Sequence, residues 1–361
     1  IGFCLVGSEM CIRDSDPLSW ASTPACGFRI TVEDGLRVGY WLVEFQDRIA
    51  RGVDFDGDGS FGAGEVTVFR DSGVLDGESW PQGLDITDDG AIWWTAGLVI
   101  AHPQNGISRL VDLNGDGDDE DDGEQIVMVD GTGSHTIEHD LGTAPIADPW
   151  SFRDIAAAGD GVIAFASNAD QALYRFEDLN GDGDVLDAEE SILFLNATGA
   201  YAALPMNPDF EDGTLPNLMN QQGYHTFLSY IASDVEDGQR VFYLGSSANG
   251  ASESRYTNVD GVGINFLIFR AVDTNGDRDI NDAGEVTIFF DGNQIDGDPQ
   301  FVTLRGLDVL DGLVYAAEIT PFPILFDGDD GNAWIHRFED VNGDGDARDV
   351  GEQQLGLSLI H

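Results

Sequence analysis

Residues 178–190, DLNGDGDVLDAEE, carry side-chain oxygens at a spacing that suits a metal ion. Asp or Asn stands at positions 1, 3, 5, 7 and 10 of this stretch, and Glu closes it at position 13. Alternate side chains of a tight turn converge on one point, and Ca²⁺ takes roughly six to eight such hard oxygens at about 2.3–2.6 Å. Glycine at position 6 permits the sharp bend because it tolerates positive φ. The spacing therefore predicts a cation-binding loop.

The same unit occurs five times along the chain. The copies are DFDGDGSFGAGE (54–65), DLNGDGDDEDDGE (112–124), DLNGDGDVLDAEE (178–190), DTNGDRDINDAGE (273–285) and DVNGDGDARDVGE (340–352). These loops hold 28 of the 67 acidic residues, so the acid is concentrated rather than spread evenly. This placement favours a specific role over a general surface charge.

The predicted metal ligands are the carboxylates and amides of these five loops. In chain order they are Asp54, Asp56, Asp58, Glu65, Asp112, Asn114, Asp116, Asp118, Asp121, Glu124, Asp178, Asn180, Asp182, Asp184, Asp187, Glu190, Asp273, Asn275, Asp277, Asp279, Asp282, Glu285, Asp340, Asn342, Asp344, Asp346, Asp349 and Glu352. Two questions stay open: whether position 10 or position 13 closes each longer shell, and whether the fourth loop binds metal with Arg278 in place of glycine.

The alternative is that Asp, Asn and Gly simply form good turns. That explains one copy well and five copies badly, because so many like charges in one turn repel unless a cation neutralises them.

The first copy resembles an EF-hand calcium loop, with Asp54, Asp56, Asp58, Gly59 and Glu65 at positions 1, 3, 5, 6 and 12. The other four are one residue longer and resemble the calcium loops of dockerins and thrombospondin type 3 repeats. The resemblance covers the loops alone, since strands replace the helices of the EF-hand. It implies Ca²⁺, up to five ions, which ligand number and loop flexibility favour over Mg²⁺.

Apolar alternating segments such as ALYRFE (172–177) and SILFL (191–195) flank the loops and predict strands. A hairpin with an Asp-Gly turn precedes each loop. These turns are Asp34-Gly35, Asp89-Gly90, Asp160-Gly161, Asp237-Gly238 and Asp311-Gly312. Each unit is thus four antiparallel strands, A to D, and tandem units of this kind predict an all-β β-propeller with five visible blades. The blades cover approximately 27–73, 80–130, 151–196, 227–292 and 300–356.

An arginine stands three residues before the first Asp of every loop. These arginines are Arg51, Arg109, Arg175, Arg270 and Arg337. We expect each guanidinium to bind a loop carboxylate or a backbone carbonyl of the next blade.

This strand order places the A–B turns and acidic loops on one face and the irregular connections on the other. The connections are 97–106, 131–150, 196–228, 246–263 and 318–332. Long loops on a rigid scaffold are common places for binding. The candidate ligand-face residues are His102, His135, Glu138, His139, Asp140 and His225. The string His-x-x-Glu-His resembles a zinc protease motif, but that motif needs a helix and this one is predicted as a solvated, Gly-flanked loop.

Two functions follow as hypotheses. The preferred one is a non-enzymatic calcium-stabilised propeller that presents its irregular face to a partner protein or glycan. The other is a Ca²⁺-dependent hydrolase of the phosphoesterase or lactonase type, because lactonases and bacterial alkaline phosphatases include calcium propellers of similar architecture with metal in the central channel. No catalytic residue is assigned, and the second hypothesis rests on fold analogy.

The net charge of −51, from 67 acidic and 16 basic residues, predicts no binding to nucleic acid or anionic membranes. No apolar run approaches the roughly 20 residues that span a bilayer, so no membrane insertion is expected. The charge alone would also fit a marine or halophilic bacterium. Loops this acidic suit the millimolar calcium outside cells, which predicts an extracellular or cell-surface location.

Both ends of the chain resemble translated sequencing adapter, through LVGSEMCIRDS (5–15) and LSLIH (357–361). Residues 1–15 and 357–361 are therefore interpreted as artefact, and 16–356 as a metagenomic fragment of a larger propeller. The fifth blade is then expected to lack most of its D strand. Only Cys26 lies outside the adapter-like ends, so no intrachain disulfide is predicted.

Overall fold

The computed structural model describes the greater part of the chain. The described residues are 25–43, 48–58, 61–62, 64–71, 81–96, 106–130, 136–139, 142–145, 152–166, 173–185, 187, 189–195, 227–247, 267–291, 304–310, 312–319, 333–349 and 351–358. They form 22 strands and, within these ranges, no helix. No described segment is a helix of the length and apolarity that crossing a membrane requires.

The chain folds as an all-β protein with five β-propeller blades, as predicted. The first blade comprises β1 (Ala25–Glu33), β2 (Leu36–Val43), β3 (Arg48–Asp54) and β4 (Val66–Asp71). The second comprises β5 (Pro81–Ile86), β6 (Ile92–Ala96), β7 (Gly106–Leu110) and β8 (Gln125–Asp130). The third comprises β11 (Phe152–Ala158), β12 (Gly161–Ala166), β13 (Leu173–Phe176) and β14 (Ser191–Leu195), preceded by β9 (Thr136–His139) and β10 (Gly142–Pro145). The fourth comprises β15 (Phe227–Glu236), β16 (Gln239–Ser247), β17 (Leu267–Ala271) and β18 (Val286–Asp291). The fifth comprises β19 (Leu304–Leu310), β20 (Leu313–Ile319), β21 (Ala333–Phe338) and β22 (Gln353–Ser358).

Each blade is a meander in which sequence neighbours pair as antiparallel strands A to D. The acidic loops join C to D, as predicted. The A–B turns of the first and fourth blades hold two residues, and positive φ at Asp34, Gly35, Asp237 and Gly238 gives them the mirror-image geometry that suits hairpins. In the third blade Ala158 pairs with Gly161, so the turn residues are Gly159 and Asp160, one position earlier than predicted.

Two further predictions about strands were wrong. The segment around Glu138 is not a loop: β9 and β10 form a hairpin, and β9 pairs with β14 to extend the third sheet to six strands. The fifth blade also has its D strand, since β22 pairs with β21 through Ser358. Both additions pair with a strand that would otherwise form the edge of its sheet, β14 in the third blade and β21 in the fifth. An unpaired edge strand exposes a row of N–H and C=O groups.

Contacts divide the chain into two compact units, one of residues 1–168 with 174–193 and the other of residues 169–173 with 194–361. In the first unit the A strands of successive blades contact one another, β1 with β5 and β5 with β11. Asp85 joins all three, since its Oδ1 accepts Arg29 Nε–H and its Oδ2 accepts Ala157 N–H, both at 2.7 Å. Gly83 permits this approach, because a Cβ there would lie 2.8 Å from Asp154 Cα.

Apolar side chains fill the space between the blades. One core cluster of the first unit joins Trp93, Ile107 and Met128 of the second blade to Ile155 and Phe176 of the third. In the second unit, Phe289 and Phe290 of β18 share a cluster with Phe338 of the fifth blade. Trp93 and Trp94 are fully buried and pack between blades, as expected for strand B.

Candidate metal centres

The first Asp of each longer loop organises the backbone that follows it. In all four, one carboxylate oxygen accepts the N–H of the fourth loop residue at 2.6 Å. The other oxygen accepts the N–H of the sixth residue at 2.8–2.9 Å. The fourth residue is glycine with φ of 77–81° in each copy. These bonds fold the loop tightly around the first Asp.

The alternate residues repeat one local contact along the loop. In the second copy Asn114 Oδ1 accepts Asp116 N–H at 2.8 Å, and Asp116 Oδ1 accepts Asp118 N–H at 3.3 Å. Asp118 Oδ1 in turn accepts Glu120 N–H at 3.0 Å. One oxygen of each side chain thus faces the backbone, which holds the residues at positions 3, 5 and 7 as a ladder of turns.

The asparagine at position 3 lies between two carboxylates in every longer loop. Its Nδ2 donates to the fifth-position Asp at 2.8–3.1 Å. The same nitrogen donates to the tenth-position Asp at 2.5–2.7 Å. The tenth-position residues are Asp121, Asp187, Asp282 and Asp349. Positions 3, 5 and 10 therefore meet on one side of the loop.

The first loop has Asp56 where the others have asparagine. Carboxylate oxygens of Asp54, Asp56 and Asp58 all lie within 4.8 Å of one another. Asp54 is buried, whereas Asp56 and Asp58 are exposed. Three negative side chains this close repel one another unless a cation or a proton intervenes.

The closing glutamate is bound to the backbone rather than turned to the ligand side. In the longer loops Glu124, Glu190, Glu285 and Glu352 are each at most 3% exposed. One oxygen accepts the N–H of the second loop residue at 2.8–3.1 Å, and the other accepts that of the tenth at 2.9–3.2 Å. Glu65 binds Phe55 N–H and Gly62 N–H in the same way. Position 10 is therefore the better candidate to close the longer shells.

Arg278 occupies the position that glycine holds in the other longer loops. Its φ is 77°, a conformation that costs an L-residue free energy. Its N–H nevertheless donates to Asp273 Oδ2 at 2.8 Å, as the glycines do in their copies. The fourth loop thus keeps the shared backbone geometry, and its predicted metal binding remains open.

Local surroundings shift two seventh-position carboxyl groups in opposite directions. Burial raises the pKa of Asp279, and the charges of Asp277 and Glu285 act in the same direction. Burial also opposes ionisation of Asp346, but the hydrogen bonds and charge of Arg348 outweigh it and lower the pKa. The fourth and fifth loops therefore differ in how readily the seventh-position carboxyl group ionises.

The eighth residue of each longer loop is buried. These residues are Asp119, Val185, Ile280 and Ala347, each at most 3% exposed. Asp119 N–H donates to Phe69 O at 3.0 Å, and Ala347 N–H donates to Phe289 O at 2.8 Å. Ile280 N–H donates to Phe194 O at 3.0 Å. The acceptors belong to strand D of the preceding blade, so these loops contact a neighbour as well as their own hairpin.

Asp119 is the one polar residue among these four. Its carboxylate pairs with Arg70 of β4 at 2.7 Å, and both side chains are less than 10% exposed. Arg70 also lies over the ring of Trp94, 5.1 Å from its centre. Burial raises the pKa of the Asp119 carboxyl, although Arg70 acts in the opposite direction. A buried ion pair thus replaces the apolar contact of the other loops.

The five arginines form ion pairs with carboxylates other than the predicted loop carboxylates. Arg51, Arg109 and Arg270 bind Glu33, Asp89 and Glu236 at 2.5–2.7 Å, on or beside the A–B turn of their own blade. Arg175 and Arg337 bind Glu177 and Glu339, which directly precede the loops.

Strand order gives the reason. The arginine on strand C lies opposite a strand B residue, Tyr40 for Arg51 and Tyr243 for Arg270, and so reaches the end of strand A. Both tyrosines donate to the same glutamates as the arginines, and burial raises their pKa values.

The predicted ligand face lies mostly outside the described residues. His102, His135, Asp140 and His225 fall there, as do most of the irregular connections. Glu138 and His139 belong to β9, where the backbone pairs with β10. The sequence analysis did not identify the eighth loop position, although its apolar character in four of the five copies was a visible signal.

Comparison with known proteins gives no assignment of family or function. No protein-family model matches the sequence, and no curated protein matches it. The structure is similar to virginiamycin B lyase from Staphylococcus aureus, at 10% identity over 89% of this chain and 68% of that one, with a TM-score of 0.40. It is also similar to a luciferin-regenerating enzyme, at 8% identity over 82% of this chain and 70% of that one, with a TM-score of 0.39. Identities and scores this low carry no inference, and the β-propeller assignment comes from the blades of this chain alone.

Proposed function

We propose that this chain is a calcium-binding β-propeller in which the acidic C–D loops hold structural Ca²⁺ ions, up to five in number. The observation that supports the proposal most is the convergence of carboxylate oxygens in the first loop, where those of Asp54, Asp56 and Asp58 lie within 4.8 Å of one another. In the longer loops the Asn side chain at position 3 lies between the carboxylates of positions 5 and 10. The first Asp of each longer loop belongs to the same turn, where both of its oxygens accept backbone N–H groups.

The donor set supports a hard cation. All of the candidate ligands are carboxylate or amide oxygens, which suit Ca²⁺ and Mg²⁺ and not the softer metals. Irregular loops with many oxygens favour Ca²⁺, because Mg²⁺ demands near-octahedral geometry and gives up its waters reluctantly. In the longer loops the Asn amide would turn its oxygen to the ion in place of its nitrogen. This rotation gives up the hydrogen bond that the oxygen accepts from the backbone N–H of position 5.

The proposal extends to location and partner. A net charge of −51 and the concentration of acid in the loops suit millimolar calcium outside the cell. We propose that the protein works there as a binding module, and that the irregular connections opposite the calcium loops bind a protein or glycan. Immobilised chain exposed to a glycan array in calcium would test the second part, with the chelator-treated chain as its control.

Calorimetric titration of the metal-stripped chain with CaCl₂ tests the central proposal. We expect saturable binding of several equivalents, with Mg²⁺ binding more weakly. A variant carrying Asp54→Asn, Asp56→Asn and Asp58→Asn should lose one equivalent and keep the others. The matched control is Asp34→Asn, which removes one charge from an exposed turn outside the loops. Absence of saturable calcium binding in the unmodified chain would overturn the proposal.

A further inference from the structure

The buried eighth residue places each longer loop in contact with two blades at once. Ala347 shows this most fully: its N–H bonds to Phe289 O at 2.8 Å, and its side chain lies in one cluster with Phe289 and Phe290 of β18. Val185 likewise lies in a cluster with Met128 and Val129 of β8. The C–D loop therefore forms part of the boundary between neighbouring blades.

The eighth residue is also flanked by candidate ligands at positions 7 and 10. For Ala347 these are Asp346, whose carboxylate also binds Arg348, and Asp349. An ion that fixes both carboxylates also fixes the three peptide units between them, and with them the direction of the eighth side chain. Without the ion, repulsion among the loop carboxylates favours a looser loop, which withdraws the eighth residue from the preceding blade.

We propose that cation binding to a longer loop and packing of that loop on the preceding blade are thermodynamically coupled, with the eighth residue as the positioning residue. The inference rests on the proposed calcium function and adds a consequence to it: each ion stabilises a boundary between blades as well as its own hairpin. Because coupling is reciprocal, a damaged contact weakens calcium binding, and an unloaded loop loosens the preceding blade.

Hydrogen exchange of the full chain tests the second consequence. The double variant Asp344→Asn, Asp349→Asn disables the fifth loop and leaves the preceding blade unchanged in sequence. In saturating calcium we expect exchange in β18 to accelerate about fivefold or more, the lower range of typical couplings. The control Asp237→Asn removes a charge from an exposed turn of the same unit and should leave β18 unchanged. Acceleration confined to β21 and β22 would overturn the coupling.

Calcium affinity tests the reverse direction. Val185→Ala removes buried apolar contact at position 8 of the third loop, and Leu179→Ala removes a side chain that is 48% exposed at position 2 of the same loop. We expect Val185→Ala to weaken one calcium site about fivefold or more and Leu179→Ala to weaken none. Equal loss of thermal stability with and without calcium, at unchanged affinity, would reduce position 8 to a packing role and contradict the proposal.

Two outcomes separate this inference from the function on which it rests. If the unmodified chain binds no calcium, the proposed function fails and the coupling fails with it. If calcium binds normally but neither β18 exchange nor the Val185→Ala affinity changes, the function stands and the coupling alone is wrong. Should Val185→Ala fail to fold, Ala347→Gly tests the corresponding contact in the fifth loop.

Discussion

The first acidic loop is one residue shorter than the other four and lacks their carboxylates at positions 7 and 10. Positions 3 and 8 also differ, and these two separate metal chemistry from blade packing. The first loop has Asp56 at position 3, where the others have asparagine. Its eighth residue, Phe61, stacks on Trp41 of its own blade at 5.9 Å, and Gly52 leaves room for the ring. In the longer loops the eighth residue instead packs on the preceding blade. The closing glutamate is the same in both kinds.

The comparison teaches which parts of the loop are general. The closing glutamate builds the turn in every copy, and the first Asp does so in the four longer loops, so both belong to the loop itself. The residue types at positions 3 and 8 differ between the loops. Position 3 therefore changes the charge of the site, and position 8 determines which blade the loop packs on. Substitutions at these positions can therefore break or sharpen the comparison.

The largest effect is expected at the ion pair between the first two blades. Asp119→Ala leaves Arg70 buried without its carboxylate, which should cost about 3–5 kcal/mol of unfolding free energy. The double variant Arg70→Phe, Asp119→Ala copies the Phe290 and Ala347 pair of the fifth loop and should recover most of that loss. Urea denaturation in calcium measures both. A double variant no more stable than Asp119→Ala would mean that the two boundaries are not equivalent.

Removal of the closing glutamate should cause the second largest loss of stability, and the loss should be similar in both kinds of loop. Glu124→Ala strands two or three backbone N–H donors beneath the loop, at a cost of about 2–3 kcal/mol. Glu65→Ala should behave similarly, and the exposed Glu120→Ala serves as the control. Denaturation with and without calcium is the measurement. A loss seen only when calcium is present would identify the glutamate as a ligand instead.

A substitution at position 3 should have opposite effects on the stability of the calcium-free chain and on the calcium affinity of the loop. Asn114→Asp places a third carboxylate beside Asp116 and Asp121, so the calcium-free chain should lose about 1 kcal/mol while the calcium affinity of this loop rises. Asp56→Asn in the first loop should have the opposite effects. Denaturation in chelator and calorimetric titration together check the pair, and shifts of equal sign in both variants would contradict the assignment.

The smallest effect concerns an ion pair outside the loops. Burial opposes ionisation of Asp89, but hydrogen bonds from Thr87, Arg109 and the Ala91 N–H outweigh it and lower the pKa below its usual 3.8. The associated stability is present above the usual pKa and is lost as pH falls through the lower folded value. Asp89→Asn should therefore destabilise by less than about 1 kcal/mol at pH 7. Urea midpoints down to about pH 2 should show the gap closing, and a gap independent of pH would refute the assignment.

The strand pattern and the turns were predictable because their causes are local. Alternating apolar residues around 178–190 and the Asp34-Gly35 turn carry their conformations in a few neighbouring residues. The spacing of side-chain oxygens predicted that positions 1, 3 and 5 converge and left positions 10 and 13 open. Hydrogen bonds in the longer loops join position 3 to positions 5 and 10.

The remainder depended on contacts distant in sequence. The partner of Arg51 is Glu33, 18 residues away on strand A, and only the sheet order selects it. The pairing of Asp119 with Arg70 requires knowledge of which strand lies beside the loop. The β9–β10 hairpin pairs with the edge of β14, and no local sequence pattern predicts this pairing. Local signals thus predicted the elements, and packing between blades decided their contacts.

The measurement that tests the central claim most directly is the melting temperature of the chain in millimolar CaCl₂ and again in excess chelator. Each site held a thousandfold above its dissociation constant adds about 4 kcal/mol to the folded state, so several loaded loops should raise the melting temperature by many degrees. The account predicts this large shift for Ca²⁺ and a smaller one for Mg²⁺. Equal melting temperatures in calcium and chelator would contradict it and leave the five loops as acidic turns.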